Sequence, residues 1–365
     1  MEQQVEKNMK VLVITYKKNV LWAKTANEIT KRLSRYDDIE VDTLDWNIPN
    51  HIWCLVKFIQ KPFFNNSYDG QDVFFRPLGA FFLKRIMTQR GLLHFDVYLF
   101  ICHYVAIPFV SGKIYQYVDA TLPTLYPFLR SKKKLLSKYI LSKYISNKIK
   151  DYKTITKIFT QNEYTQLSTI DDFKVSKSKV INVRFGINLE AYRGTKDYRN
   201  HLLLIVLRKG VERLKGLNLL LDTMPLVIRE IPDVHLAIVG TEGKKQPNIT
   251  YYFEKGREKT VELFRKASLY IMPALHEPNG VTYLEALANR TPIVGLNRFA
   301  FPEFSGNGRF GFVCNSQNPQ ELSKIIVSAL SNENLLNKMG KEGQEFVEQN
   351  YTWDRVMSIM YNELH

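Results

Sequence analysis

Short, continuous apolar runs alternate with helix-period stretches along most of this chain. Lys10-Val11-Leu12-Val13-Ile14-Thr15 reads as a buried strand and the pattern from Trp22 to Leu33 as a helix. Ile39-Glu40-Val41-Asp42-Thr43-Leu44 alternates apolar with polar, as a strand with one wet face does. Strand, helix and strand at this spacing predict a βαβ unit and a parallel sheet. Runs at 97–102, 114–118, 156–160 and 179–183 continue that sheet. A second series opens at His201-Leu202-Leu203-Leu204-Ile205-Val206 and proceeds through 235–239, 269–272 and 292–296. Helical patterns lie between these at 215–230, 260–267 and 281–289, and from Pro319 to His365 the pattern is helical with turns near Ser331 and Asn350.

Between the two series, residues 188–200 are polar and aperiodic, which reads as a linker. The expected architecture is α/β: two doubly wound domains, 1–190 and 191–350, with a terminal helix at 351–365 crossing back to the first domain. The length of 365 residues suits two cores rather than one. Ligands of doubly wound sheets bind beyond the C-terminal ends of the strands, so two such domains facing each other imply a central cleft.

Charge changes this picture more than bulk composition does. The net charge is +15, and it is uneven. Residues 1–190 hold 29 Lys and Arg against 17 Asp and Glu, a net of +12, which leaves +3 for the remainder. A basic first domain attracts something anionic. No run of about 18 apolar residues is present, so no spanning helix is expected. The polar start, Met1 to Lys10, lacks the apolar core of a secretory signal, and a cytoplasmic protein is the expectation. Cys54, Cys102 and Cys314 are far apart and form no CxxC pair, which fits small buried residues better than a metal site.

The most informative stretch is His276-Glu277-Pro278-Asn279-Gly280-Val281-Thr282-Tyr283-Leu284-Glu285-Ala286-Leu287-Ala288. It places Glu277 in a strand-to-helix loop and Glu285 in the helix that follows. Gly280 lets backbone approach a ligand. The amides of Val281 and Thr282 fall in the first helical turn, where no intrahelical acceptor exists, and together with the helix dipole they favour a phosphate. Glu277 would reach a sugar on that phosphate, and Glu285 would accept hydrogen bonds from the vicinal hydroxyls of a ribose.

Two glutamates at this spacing, followed by Ala286-Leu287-Ala288-Asn289-Arg290-Thr291-Pro292-Ile293-Val294, resemble the retaining GT-B glycosyltransferases of family 4, the glycosyl transferases group 1. The resemblance runs from about Leu202 to Trp353. It implies the GT-B fold, with two Rossmann-like domains, and sugar transfer from a nucleoside diphosphate sugar with retention. In Leu207-Arg208-Lys209-Gly210-Val211-Glu212-Arg213-Leu214-Lys215-Gly216 it assigns Arg208 and Lys215 to the donor diphosphate, with Lys209 and Arg213 as the alternatives in a shifted register. It also sets the backbone of Lys255 and Gly256 beside the base. Asp-x-Asp is absent, so activity without a metal ion is expected, the two cations replacing it. No permanently bound cofactor is expected, and the donor is a UDP- or GDP-sugar.

The first domain departs from the family twice. Tyr16-Lys17-Lys18-Asn19-Val20-Leu21-Trp22 has no glycine where relatives have a glycine-rich loop, and the lysines are candidates for the missing anion contact. Asp119 stands where relatives carry a histidine and could take the proton of the acceptor hydroxyl. A capping Asp is the plainer alternative, and His103 is the rival base. Arg184-Phe185-Gly186-Ile187-Asn188 resembles a family turn in which the glycine eases a tight bend.

Residues 130–153 hold nine Lys and Arg and one Asp, interleaved with apolar residues. That composition suits an anionic bilayer surface, and it equally suits a helix packed on the sheet that shows its lysines to water. The aromatic segments 51–59 and 81–85 could add anchors. No nucleic-acid motif is recognisable. The expected acceptors are glycans, glycolipids or lipid-linked sugars of cell-surface polysaccharide assembly, handled on the inner face of the plasma membrane. The alternatives are a nucleotide-sugar epimerase and a non-catalytic glycan- or anion-binding module of the same fold.

Overall fold

A computed structural model describes residues 8–16, 20–60, 76–102, 104–125, 135–188, 191–244 and 246–365. The loop 17–19, His103 and residues 130–134 of the basic segment therefore lie outside the described residues. The chain divides into two compact units, residues 1–184 with 356–365, and residues 185–355.

The first unit is built on six parallel strands: β1 (Met9–Tyr16), β2 (Ile39–Trp46), β3 (Val97–Ile101), β4 (Lys113–Val118), β5 (Lys157–Thr160) and β6 (Val180–Asn182). Their order is β2-β1-β3-β4-β5-β6. Parallel neighbours need a crossover, and the helix Val20–Leu33 supplies the one between β1 and β2. Val11, Leu12, Val13 and Ile14 are all buried because helices cover both faces of a central strand, which is why β1 reads as an unbroken apolar run. At the sheet edge β2 pairs on one side only, and it alternates as predicted: Leu44 and Trp46 are buried while Asp45 between them is exposed.

The final helix, Trp353–Leu364, contributes its last turns to this first unit. Tyr361 stacks on Tyr36 at 4.0 Å between ring centroids, and its hydroxyl donates to Asp38 at 2.7 Å. The Tyr115 hydroxyl donates to the Glu363 carbonyl at 2.9 Å.

The second unit carries β7 (Leu202–Val206), β8 (His235–Val239), β9 (Ile249–Tyr252), β10 (Leu269–Ile271), β11 (Ile293–Leu296) and β12 (Gly311–Cys314). All are parallel, in the order β12-β11-β10-β7-β8-β9. The direction of winding reverses between β7 and β10. The loops leaving the C-terminal ends of those two strands therefore splay apart and open a crevice, the usual ligand site of such sheets.

Two expectations need correction here. Residues 191–198 are not a free linker. Tyr198 is buried and donates to the Arg290 carbonyl at 2.7 Å. Lys196 donates to the carbonyls of Phe264 (2.8 Å) and Asn289 (3.1 Å) and to the Thr291 hydroxyl. Lys196 and Tyr198 thus satisfy backbone carbonyls of the second unit. Gly186, for its part, is required by packing rather than by a tight bend, since a Cβ there would fall 2.2 Å from Trp353 Cγ.

Candidate functional site

Two loops meet at the switch point of the second sheet. The loop after β7 runs from Leu207 to Gly216, and the loop after β10 from Met272 to Gly280. The Leu214 carbonyl accepts from the amides of both Leu275 (2.8 Å) and His276 (3.0 Å), which clips one loop onto the other. Gly216 makes the close approach feasible: its φ is +79°, and a Cβ would lie 2.0 Å from the Pro273 carbonyl oxygen. This backbone clip brings Lys215 against Glu277, and the Lys215 ammonium donates to Glu277 Oε2. Of the basic residues in the loop, Lys215 is the one that pairs with Glu277.

The other carboxylate oxygen of Glu277 accepts from the amides of Asn279 (3.2 Å) and Gly280 (3.0 Å). Burial pushes this carboxyl up, but the Lys215 charge, the hydrogen bond from that ammonium and the two amides outweigh burial. Glu277 therefore sits below the usual carboxylate range and is ionised at neutral pH. Beside it, His276 is held below its ordinary value by burial and by Lys215, and its ring packs edge-on to Phe299 at 5.2 Å.

Gly280, at φ +58°, caps the helix Val281–Ala288 without a side-chain hydrogen bond. A Cβ at Gly280 would collide with Phe304 and Tyr283 at 2.7 Å, so the position accepts only glycine. The Val281 and Thr282 amides open this helix with no acceptor among the described residues. The Thr282 hydroxyl is turned inward and accepts from Tyr270 at 2.7 Å, which leaves its backbone as the group available to a ligand. An ammonium with unused donors, two free amides and a helix N-terminus thus stand within one loop cluster, and all three attract an anion.

Arg208, two residues past β7, is exposed and makes no ion pair or side-chain hydrogen bond among the described residues. Its neighbour Lys209 is engaged elsewhere, 3.8 Å from Glu242 and 5.0 Å over the Phe253 ring. Arg213 is exposed. Lys255 and Gly256 are exposed, and Gly256 is the N-cap of the helix Arg257–Lys266. They follow the outer strand β9, Ile249–Tyr252, in an exposed loop. Glu285 is mostly buried, and burial pushes its carboxyl up against the opposing pull of Arg257, 3.5 Å away. Arg257 escaped the sequence reading. A cation in a first helical turn opposes the macrodipole, and that was the signal available.

In the first unit, Asp119 directly follows β4. One carboxylate oxygen accepts from the Trp22 indole at 3.1 Å and the other from the Ala120 amide at 2.8 Å. Burial pushes the carboxyl above its ordinary value, although these two donors oppose it. The Cys102 thiol is pushed well up by burial and by the Asp119 charge near it. The short helix Leu122–Leu125 is capped through Thr121, whose hydroxyl accepts from the Thr124 amide at 3.3 Å, so capping does not fall to Asp119. Trp22 gave no signal of this partnership in the sequence.

With this geometry established, known proteins give the context. Residues 199–346 match the family model described as glycosyl transferases group 1. Spore coat protein SA of Bacillus subtilis (strain 168) is 24% identical over 237 residues, covering 56% of this chain and 63% of the relative. Phosphatidyl-myo-inositol mannosyltransferase of Mycobacterium leprae is 25% identical over 195 residues, covering 50% of this chain and 52% of the relative. The matches thus span less than two thirds of these curated relatives' own length. The Anabaena protein Alr3699/HepE, solved in complex with UDP, superposes with a TM-score of 0.65 at 14% identity, over 98% of this chain and 99% of that one. Residues 199–346 therefore carry the pattern of the glycosyl transferases group 1, and the chain has the two-domain, Rossmann-like α/β GT-B fold.

Proposed function

We propose that this chain is a glycosyltransferase that moves a sugar from a nucleoside diphosphate sugar to an acceptor hydroxyl, with retention at the anomeric carbon. The observation that carries this reading is the Lys215–Glu277 pair set beside the open N-terminus of the helix Val281–Ala288. As the bond to the sugar breaks, negative charge grows on the leaving diphosphate. Donors placed in advance stabilise it without reorganising. Lys215, Arg208 and the Val281 and Thr282 amides above Gly280 are those donors, standing where a divalent ion would otherwise act. Glu277, fixed in its ionised form by Lys215, faces the transferred sugar, and Glu285 takes the ribose hydroxyls. The backbone of Lys255 and Gly256 borders the base. UDP in the Anabaena neighbour favours a uridine donor, with GDP-sugars the alternative.

Asp119 is the candidate base for the acceptor hydroxyl, because a carboxylate raised by burial takes a proton more readily than an ordinary one. The mycobacterial relative's name points to a lipid-borne acceptor, and so to glycolipid or cell-surface polysaccharide assembly. The basic helix Leu135–Thr154 would serve a peripheral contact with an anionic membrane face. Among the described residues no helix is long and apolar enough to cross a membrane.

Titration calorimetry with UDP and GDP, together with a transfer assay in EDTA, tests this reading. Glu285→Ala should weaken nucleotide binding about tenfold or more, and transfer should persist in EDTA. Unchanged affinity removes the ribose role. A strict requirement for added Mn²⁺ removes the metal-free mechanism.

A further inference from the structure

Glu285 lies in the middle of the helix Val281–Ala288, and one guanidinium is set against it. Arg257 Nη1 stands 3.5 Å from Glu285 Oε1, while the carboxylate is only 16% exposed. Arg257 opens its own helix directly after the Gly256 cap, where the helix dipole disfavours a positive charge. Its neighbour Lys259 pairs within the same helix, with Glu262 at 2.9 Å. Arg257 instead reaches out of its helix to a carboxylate on another element. At 3.5 Å the contact steers the carboxylate without using it up, since an ionised carboxylate offers about four acceptor sites.

The environment of Glu285 otherwise works against ionisation. Burial favours the neutral acid, and Arg257 is the group that counters it. Tyr270 of β10 feels the charges of both Glu285 and Glu277 and stays neutral, being pushed far up by burial. A neutral carboxyl would present a donor where two hydroxyls need acceptors.

We propose that Arg257 is a positioning residue for ribose: it holds Glu285 Oε1 so that the carboxylate stays charged and turned to accept from both vicinal hydroxyls of a ribonucleotide. This rests on the nucleotide reading above, and the test separates the two. Calorimetry compares UDP with 2′-deoxy-UDP, or the GDP pair if guanosine is the base bound, on the wild type and on Glu285→Gln, Arg257→Ala and Arg257→Lys. The wild type should prefer the ribonucleotide about tenfold or more, and Glu285→Gln should abolish the preference. Arg257→Ala should cut it to under about threefold without changing affinity for the deoxynucleotide, and Arg257→Lys should restore most of it. In Arg257→Ala the ribonucleotide affinity should also fail at a higher pH than in the wild type, because a buried acid that loses its cation titrates higher. If Arg257→Ala leaves the preference intact, or lowers both affinities equally, the positioning role is wrong while the ribose role of Glu285 stands. If the wild type shows no preference, or Glu285→Gln retains it, the ribose reading falls and the Arg257 proposal falls with it.

Discussion

The two sheets share a parallel, six-stranded plan, yet the groups gathered at their strand ends are of opposite kinds. At the ends of β7 and β10 a carboxylate is locked to an ammonium and two amides, which keeps it ionised. At the end of β4 a carboxylate meets an indole, an amide and a thiol, with no cation paired to it among the described residues, and burial pushes it toward its neutral form. One topology thus supports two chemistries, depending on what the loops place beside the acid. The first suits charge that grows on a phosphate, and the second suits proton transfer.

The largest effect should follow from removing the ammonium that distinguishes the two ends. Lys215→Ala should slow transfer about 10²–10³-fold. It should also cost about 1–3 kcal/mol of stability in urea unfolding, because Glu277 would lose its charged partner while remaining mostly buried. Arg208→Ala is the contrast. Arg208 is exposed and unpaired among the described residues, so stability should move by no more than about 0.5 kcal/mol while transfer still slows. Equal stability losses for the two variants would mean that both cations belong to the scaffold, and the distinction between a structural and a ligand-reserved cation would disappear.

A middle-sized effect should come from the loop clip. Gly216→Ala forces a Cβ against Pro273 at φ +79° and should cost about 1–3 kcal/mol, with a parallel loss of transfer as Lys215 leaves Glu277. Gly210→Ala has a similar φ of +91° but open space around the added atom, so its cost should be smaller. Indistinguishable unfolding midpoints for the two alanine variants would show that the loops do not depend on this contact.

The smallest effect is in the pH dependence, where the two acids should act with opposite signs. The folded value of Glu277 lies below its ordinary 4.5. Its contribution is present above that pH and is lost as the pH falls through the folded value, so the deficit of Glu277→Gln should shrink on acidification. The folded value of Asp119 lies above its ordinary 3.8. Its neutral form favours the fold at acid pH, and that contribution is lost as the pH rises through the folded value, so Asp119→Asn should gain on wild type as the pH rises. Urea unfolding between pH 3.5 and 7 reads both, and slopes of the same sign would break the comparison.

Much of the second unit was legible in the chain itself. The central strands β7, β8, β10 and β11 are buried on both faces and read as unbroken apolar runs. The edge strands β9 and β12 were not read, because an edge pairs on one side and carries partly exposed residues such as Tyr251 and Phe312. In the candidate site, Glu277 and Gly280 stood out because glycines and apolar runs mark where a strand gives way to a helix, whereas Lys215 was assigned only by the family resemblance. Arg257 and Trp22 did not stand out, because an arginine at a helix start and a tryptophan in an amphipathic helix are ordinary until their partners are known.

The sequence by itself determined the order of the central strands and the helices between them, the strand-to-helix loop of Glu277 and the uneven charge, since hydrophobic period and backbone punctuation act over a few residues. Only the tertiary structure decided which groups meet. Lys215 and Glu277 are 62 positions apart, and Trp22 and Asp119 are 97 apart. The order of strands in each sheet brings such loops to a common end, and strand order is a long-range property that no local pattern encodes. The same reason accounts for Lys196, a lysine that reads as solvent-facing and is instead half-buried with its ammonium among backbone carbonyls, where desolvation pushes that ammonium well below its ordinary value.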